Sequence, residues 1–355
     1  MDVTWLAVSA KTGQVLEELP DLQVATVGAT IGTHFAVTAS LPTPSAPPGW
    51  LDATKPLAAA LVLLINDEPT WAGLIGQRKR GTAETVSLAV ASWESYLARR
   101  YVGTKSYTGV PQCTIVADLV NTFVIADGPA MLVEVEGSTG QSRDRSYKDD
   151  TDKTVDAALS ELSGIIAGPE WTITPRRLTS PERYVPVVRI ANRLGTSPAA
   201  GLSPAAIFDQ PGCVIDAELS EDYSSGRGAT RVVATSSATG DVRPQSVPAD
   251  AADPERPRVE YRWSPSSSIT EISTLNAHAG AALAAMRGGA SAIVLTADLQ
   301  QAPRLGVDWA LGDDVGYDLS GQSFPQPVQG VGRAIGWQMS LVGTPTVTPI
   351  LEGGS

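Results

Sequence analysis

Apolar residues recur at every second position through much of the first hundred residues, and this regularity restricts that part of the chain to half-buried β-strands. Phe35, Val37 and Ala39 alternate with His34, Ala36 and Thr38, and Val86, Leu88 and Val90 alternate with Ser87, Ala89 and Ala91. Val3 to Ser9 and Gln23 to Val27 also read as strands. Ala60 to Ile65 and Trp71 to Gly76 flank Asn66-Asp67-Glu68-Pro69, which is hairpin turn chemistry. So many strands leave edges that must be closed or covered, so small closed or nearly closed barrels are expected.

The period changes after Ser92. Trp93, Tyr96, Leu97 and Arg100 predict a short helix, and Ile115, Leu119, Val120 and Phe123 predict another, stopped by Asp127-Gly128-Pro129. Met131 to Val135 reads as a strand. The next helix is expected to be capped by Asp150 or Thr151, to bury Val155, Ala158, Leu159, Leu162 and Ile166, and to end at Gly168-Pro169. Strands are then expected at Glu170 to Thr174, Val185 to Ile190, Val214 to Leu219 and Thr230 to Thr235. A long helix from Ile269 to Met286 follows, then strands at Ala292 to Ala297, Gly306 to Ala310, Val315 to Leu319 and Gly332 to Val342. The expected fold class is mainly β with α+β insertions. Four regions are expected: a β-barrel-like domain over 1–92, a mixed α/β domain over 93–183, a second β-barrel-like domain over 184–262 and an α+β domain over 263–355.

Composition narrows the function. A formal charge of −12 disfavours sequence-specific nucleic-acid binding. The short basic clusters Arg78-Lys79-Arg80, Arg99-Arg100, Arg143 with Arg145, and Arg176-Arg177 read as solvated faces or intersubunit salt-bridge donors. Cys113 and Cys213 are too isolated for a disulfide framework or a zinc site and are expected to be buried thiols. No signal peptide is expected at Met1-Asp2-Val3-Thr4-Trp5. The longest apolar stretch, Leu57 to Ile65, is too short to span a bilayer, so a soluble protein with no stable membrane insertion is expected.

Catalytic signals are weak. The two histidines, His34 and His278, lie near no nucleophile motif, and no lysine follows a glycine, which excludes the phosphate-cradling loop. Gly330-Val331-Gly332 with Gly336 misses the dinucleotide fingerprint by one position and reads as strand glycines. Asp149, Asp150 and Asp152 form the best acidic cluster, but they lack the glycine and later glutamate of a calcium loop, so first-turn acidic residues explain them. Glu134 and Glu136 share one face of a strand, the geometry of a glycosidase pair, and read more simply as its polar face. No catalytic residue, metal site or cofactor is therefore expected.

Several spaced landmarks form a familiar pattern. They are Trp5-Leu6-Ala7-Val8 with Gly13 and Glu18-Leu19-Pro20; Pro69-Thr70-Trp71-Ala72-Gly73-Leu74-Ile75; Ser92-Trp93-Glu94-Ser95-Tyr96-Leu97-Ala98-Arg99-Arg100-Tyr101; Gly168-Pro169-Glu170-Trp171-Thr172-Ile173; and Leu311-Gly312-Asp313-Asp314-Val315. Taken in order over nearly the whole chain, they resemble minor tail proteins of long, non-contractile-tailed phages of actinobacteria. The resemblance implies a tail-tip or baseplate hub similar to the hubs of contractile tails, with small β-barrel domains and an inserted α/β domain. It further implies a homotrimeric ring joining the tail tube and distal tail ring to a central fibre, with the tape measure as a further partner and genome exit gated through the ring. The expected location is the virion, after synthesis in the host cytoplasm.

Many relatives carry a C-terminal fibre, receptor binder or hydrolase. Here Thr344-Pro345-Thr346-Val347-Thr348-Pro349 reads as the start of a short polar tail, so those roles are expected on another polypeptide. A receptor- or carbohydrate-binding module is the alternative function, and a wall hydrolase using Glu134 or Glu136 is a third. Eight Trp and eight Tyr are the natural anchors of large interfaces, and Trp50, Trp263 and Trp337 are the interface candidates.

Overall fold

The computed structural model describes residues 1–136, 141–224, 226–236, 243–266 and 269–352. Its architecture is mainly β, with 45% strand and 14% helix in multiple sheets that include a half-barrel. The chain forms two compact units, Met1–Asp216 with Leu295–Glu352, and Ala217–Val294.

The first unit opens with β1 (Val3–Ser9), β2 (Val15–Glu18), β3 (Gln23–Val24), β4 (Thr26–Thr30), β5 (Ala36–Pro42), the single-turn α1 (Trp50–Ala53), β6 (Ala59–Ile65), β7 (Glu68–Lys79) and β8 (Thr85–Ser92). Seven of these strands form one sheet in the order β2-β1-β6-β7-β8-β5-β3. The β6–β7 turn is tighter than the sequence suggested. Asn66 and Asp67 alone make it, both left-handed at φ 51° and 67°, the pair of positive dihedrals a two-residue hairpin turn requires. Glu68 and Pro69 already belong to β7, and a bulge beside Leu63 and Leu64 lets a proline enter the ladder. β6 is buried on both faces, which is why it is an unbroken apolar run.

One of those faces packs on the mixed layer that follows: α2 (Glu94–Leu97), β9 (Lys105–Pro111), α3 (Gln112–Val120), β10 (Leu132–Glu136), β11 (Ser142–Tyr147), α4 (Val155–Ser163), β12 (Glu170–Thr179) and β13 (Glu182–Ala191). β10, β13 and β12 form a sheet in that order, and β9 pairs with β11. Leu6, Val8, Val62, Leu64 and Leu74 meet Ile115, Leu119, Leu159, Trp171 and Ile190 in one continuous core. α3 runs on as a π-helical turn over Asn121–Ile125, and Arg100 donates to the carbonyls of Phe123 and Ala126 at its end, groups the helix leaves without partners of its own.

α4 departs from expectation at both ends. Its cap is Thr154, whose Oγ1 accepts the Ala157 N–H at 3.2 Å, while Asp149–Thr151 forms a separate 3₁₀ turn. The helix ends at Ser163, so Ile166 falls beyond it and is 95% exposed rather than part of the buried stripe. Arg143 and Gln112 donate to the carbonyls of Ile166 and Ala167, satisfying the chain there without another helical turn. Thr154→Ala is expected to lower stability by about 1 kcal/mol, read as a fall in urea midpoint at constant slope.

The unit resumes with β14 (Ile207–Gln210). β15 (Val214–Asp222) leads the chain out of it and β19 (Ala290–Asp298) leads it back, before β20 (Asp314–Leu319), β21 (Val328–Ser340) and β22 (Thr346–Leu351). Neighbouring strands here follow the order β14-β20-β21-β22-β19, and β4 also pairs with β21. Two expectations fail in this stretch. Gly306 to Ala310 is a turn, because Asp308 accepts from both the backbone and the guanidinium of Arg304. The expected polar tail instead contains β22, which buries Val347 and Pro349 on one face. β22 pairs with β19 only at Thr346 and Val347, so Pro349 leaves no β19 partner without a donor.

In the second unit β16 (Arg231–Ala234) lies between β17 (Ala249–Asp250) and β18 (Glu260–Trp263). α5 (Ile272–Met286) covers them through Leu275, Ala279, Ala282 and Leu283. Gly289, at φ +70°, follows its end, as the glycine stop implied.

Candidate functional site

The first unit contains a cavity of about 530 Å³, within the size range of ligand pockets. β7 supplies one wall through Glu68 to Ala72, β12 another through Ile173 to Arg177, and the 305–311 turn and Trp337 of β21 complete it. Its apolar surface has a simple origin. Trp71 is held inward by its Nε1–H, which donates to the Gly28 carbonyl at 2.9 Å, and its ring sits edge-on to Trp5 with centroids 6.2 Å apart.

Glu94, the first residue of α2, is a buried cavity-lining carboxyl. Its Oε1 accepts the Ile173 N–H at 2.9 Å, which ties α2 to β12. Among the described residues Oε2 has no hydrogen-bond partner of normal geometry. Burial raises this carboxyl above the ordinary glutamate range, and Ser92, the Glu94 and Ile173 backbone amides and Thr172 only temper the rise.

The three arginines that line the cavity are already neutralised. Arg176 forms a two-pronged pair with Glu134, Arg189 does the same with Glu136, and Arg177 bridges Asp67 and Glu182. The Arg176 hydrogen bonds hold the Glu134 carboxyl below its usual range. Both glutamates of β10 are thus held in two-pronged ion pairs, the arrangement expected of a polar strand face.

The interface candidates lie in different settings. Trp337 is 3% exposed and lines the cavity. Trp263 packs against the core of the second unit with its ring edge-on to His278, centroids 5.6 Å apart. Trp50 is half-buried at the start of α1. His34 is exposed, and Cys113 and Cys213 are buried free thiols. Asp149, Asp150 and Asp152 are exposed, and among the described residues no group of three His, Cys, Asp or Glu could hold a metal ion. Glu94 was missed as a site residue. Its only sequence signal is a carboxylate within an otherwise aromatic and apolar turn, Trp93-Glu94-Ser95-Tyr96-Leu97.

The whole chain superimposes on solved structures. A tail protein of Neisseria meningitidis MC58 matches with a TM-score of 0.55 and 14% identity over 99% of this chain and 97% of that one. This chain shares the fold of that tail protein. The 43 kDa tail protein of prophage MuSo2 from Shewanella oneidensis gives 0.53 and 11% over 99% and 98% of the two chains. A chain of the half-lidded PdpA–VgrG complex of Francisella gives 0.53 and 7%, covering 98% of this chain and 57% of that one. No protein-family model matches the sequence, and no curated protein is similar to it in sequence. Among the described residues no helix is long and apolar enough to cross a membrane.

Proposed function

We propose that this chain is a non-catalytic hub of a phage tail tip that assembles as a homotrimeric ring. In this reading it joins the tail tube and distal tail ring to the central fibre, contacts the tape measure, and gates genome exit. The observation that carries it is end-to-end agreement of fold with two tail proteins, one from Neisseria meningitidis and one from a Shewanella prophage, over 99% of this chain and 97% and 98% of theirs. The actinobacterial landmarks in the sequence point the same way and suggest a long, non-contractile tail.

The ion-paired state of Glu134 and Glu136 supports a structural rather than a hydrolytic role. Trp50 and Trp263, both half-buried, and Trp337, in the cavity wall, are proposed as interface anchors, and the four-part division at 92, 183 and 262 as the domain plan. Light scattering on the purified protein is the test. The expected mass is three times 37.0 kDa, with rings visible by electron microscopy. A protein that stays at one chain mass at every concentration, with or without tail-tube or distal tail proteins, would refute the hub.

A further inference from the structure

The same strand that walls the cavity ends in an exposed cationic tip. β7 begins at Glu68, in the cavity wall, and ends at Lys79, where the chain turns back through Arg80 to Glu84 into β8. Every residue from Lys79 to Thr85 is exposed. Arg78 is engaged by the Leu51 carbonyl and Thr54 Oγ1, whereas Lys79 and Arg80 take part in no ion pair among the described residues. Glu84 is the one carboxylate of this tip, so its balance is positive.

The cavity has the opposite imbalance. With Arg176, Arg177 and Arg189 each matched by carboxylates, the lining groups left without an ionic partner are the Glu68 carboxylate and the buried Glu94 carboxyl. Seven residues of strand separate Ala72, at the near edge of the cavity wall, from Lys79, roughly 23 Å at ~3.3 Å per residue, so a chain's own tip cannot reach its own cavity. Complementary features at opposite ends of one element make a head-to-tail contact, and such contacts close into rings when the rotation fits. Gly81, Thr82 and Ala83, which follow Arg80, are small enough to follow it inward.

The geometry points to insertion of the β7–β8 hairpin tip of one copy into the Glu68 and Glu94 cavity of the next copy, Lys79 and Arg80 meeting the two carboxyl groups. This rests on the trimeric-hub reading and specifies the contact that builds it. The bound guanidinium gives Glu94 Oε2 a partner and ionises that carboxyl, and the two tryptophans flank the aliphatic stem.

The test is a cysteine pair, Thr82→Cys at the tip and Val307→Cys at the mouth, where Val307 is 60% exposed. The native thiols are buried. Under mild oxidation the double variant is expected to give covalent dimers and trimers on a denaturing gel, and each single variant neither. In parallel, Lys79→Glu with Arg80→Glu is expected to raise the concentration for half-assembly at least tenfold with an unchanged melting curve. Adding Glu68→Lys to that pair should recover part of the loss. Wild-type trimers with no cross-linked ladder, or with assembly unaffected by the charge reversal, overturn the inference and leave the hub standing. A wild-type chain that never assembles overturns both.

Discussion

Arg333→Ala is expected to cost about 3 kcal/mol of folding stability, the low end for stripping one partner from a buried ion pair, because this pair is part-buried. Arg333 and Glu170 have side chains only 12% and 24% exposed, which separates them from the surface pairs worth little. The guanidinium uses four of its five N–H donors here. It makes a two-pronged pair with Glu170 and donates to the carbonyls of Gly312 and Leu194, while Glu170 also accepts the Leu194 N–H at 2.7 Å. β21, β12 and two loops therefore depend on one side chain. The loops are in backbone contact: a Cβ on Gly312, which sits at φ +91°, would lie 2.2 Å from the Leu194 carbonyl oxygen. Arg333→Lys should recover only part of the loss, since an ammonium cannot reproduce the flat four-way donation. Urea melts decide it, and an Arg333→Ala midpoint within about 1 kcal/mol of wild type would mean the clamp is not a structural keystone.

This clamp shows how the sequence could be read and where reading stopped. Strands declared themselves wherever one face was wet, as in β5 and β8, because alternation survives when only every second side chain is buried. Glu170, Gly312, Asp313 and Asp314 were visible as landmarks of a resemblance but not as a mechanism. Their partners lie far away in sequence: Glu170 with Arg333, Asp314 with Arg193, and Asp313 with Thr196. No periodicity encodes such pairings.

The same limit hid the cavity. Its walls come from β7, α2, β12, the 305–311 turn and β21, and only long-range sheet register brings them together. The errors at α4 and at Gly306 to Ala310 were local instead. Thr154 outcompeted Asp150 and Thr151, four and three positions earlier, as the helix cap, and an Asp–Arg turn outcompeted an apolar run.

Trp171→Ala should be at least as damaging as loss of the clamp, about 3–5 kcal/mol, and its comparison with Trp171→Phe carries more information. Trp171 is fully buried in β12, opposite Ile190, inside the core between the first sheet and the helices. Among the described residues its Nε1–H has no hydrogen-bond partner, so wild type already bears the desolvation cost of a buried donor, of order 1–3 kcal/mol. Phenylalanine removes that donor while leaving a smaller void than alanine does. The two changes oppose each other, so Trp171→Phe is expected within about 1.5 kcal/mol of wild type. Thermal and urea melts of the three proteins test this. A phenylalanine variant as unstable as the alanine one would show that the indole N–H is bonded in solution, and that ring volume alone does not account for the tryptophan in the Glu170-Trp171-Thr172 segment.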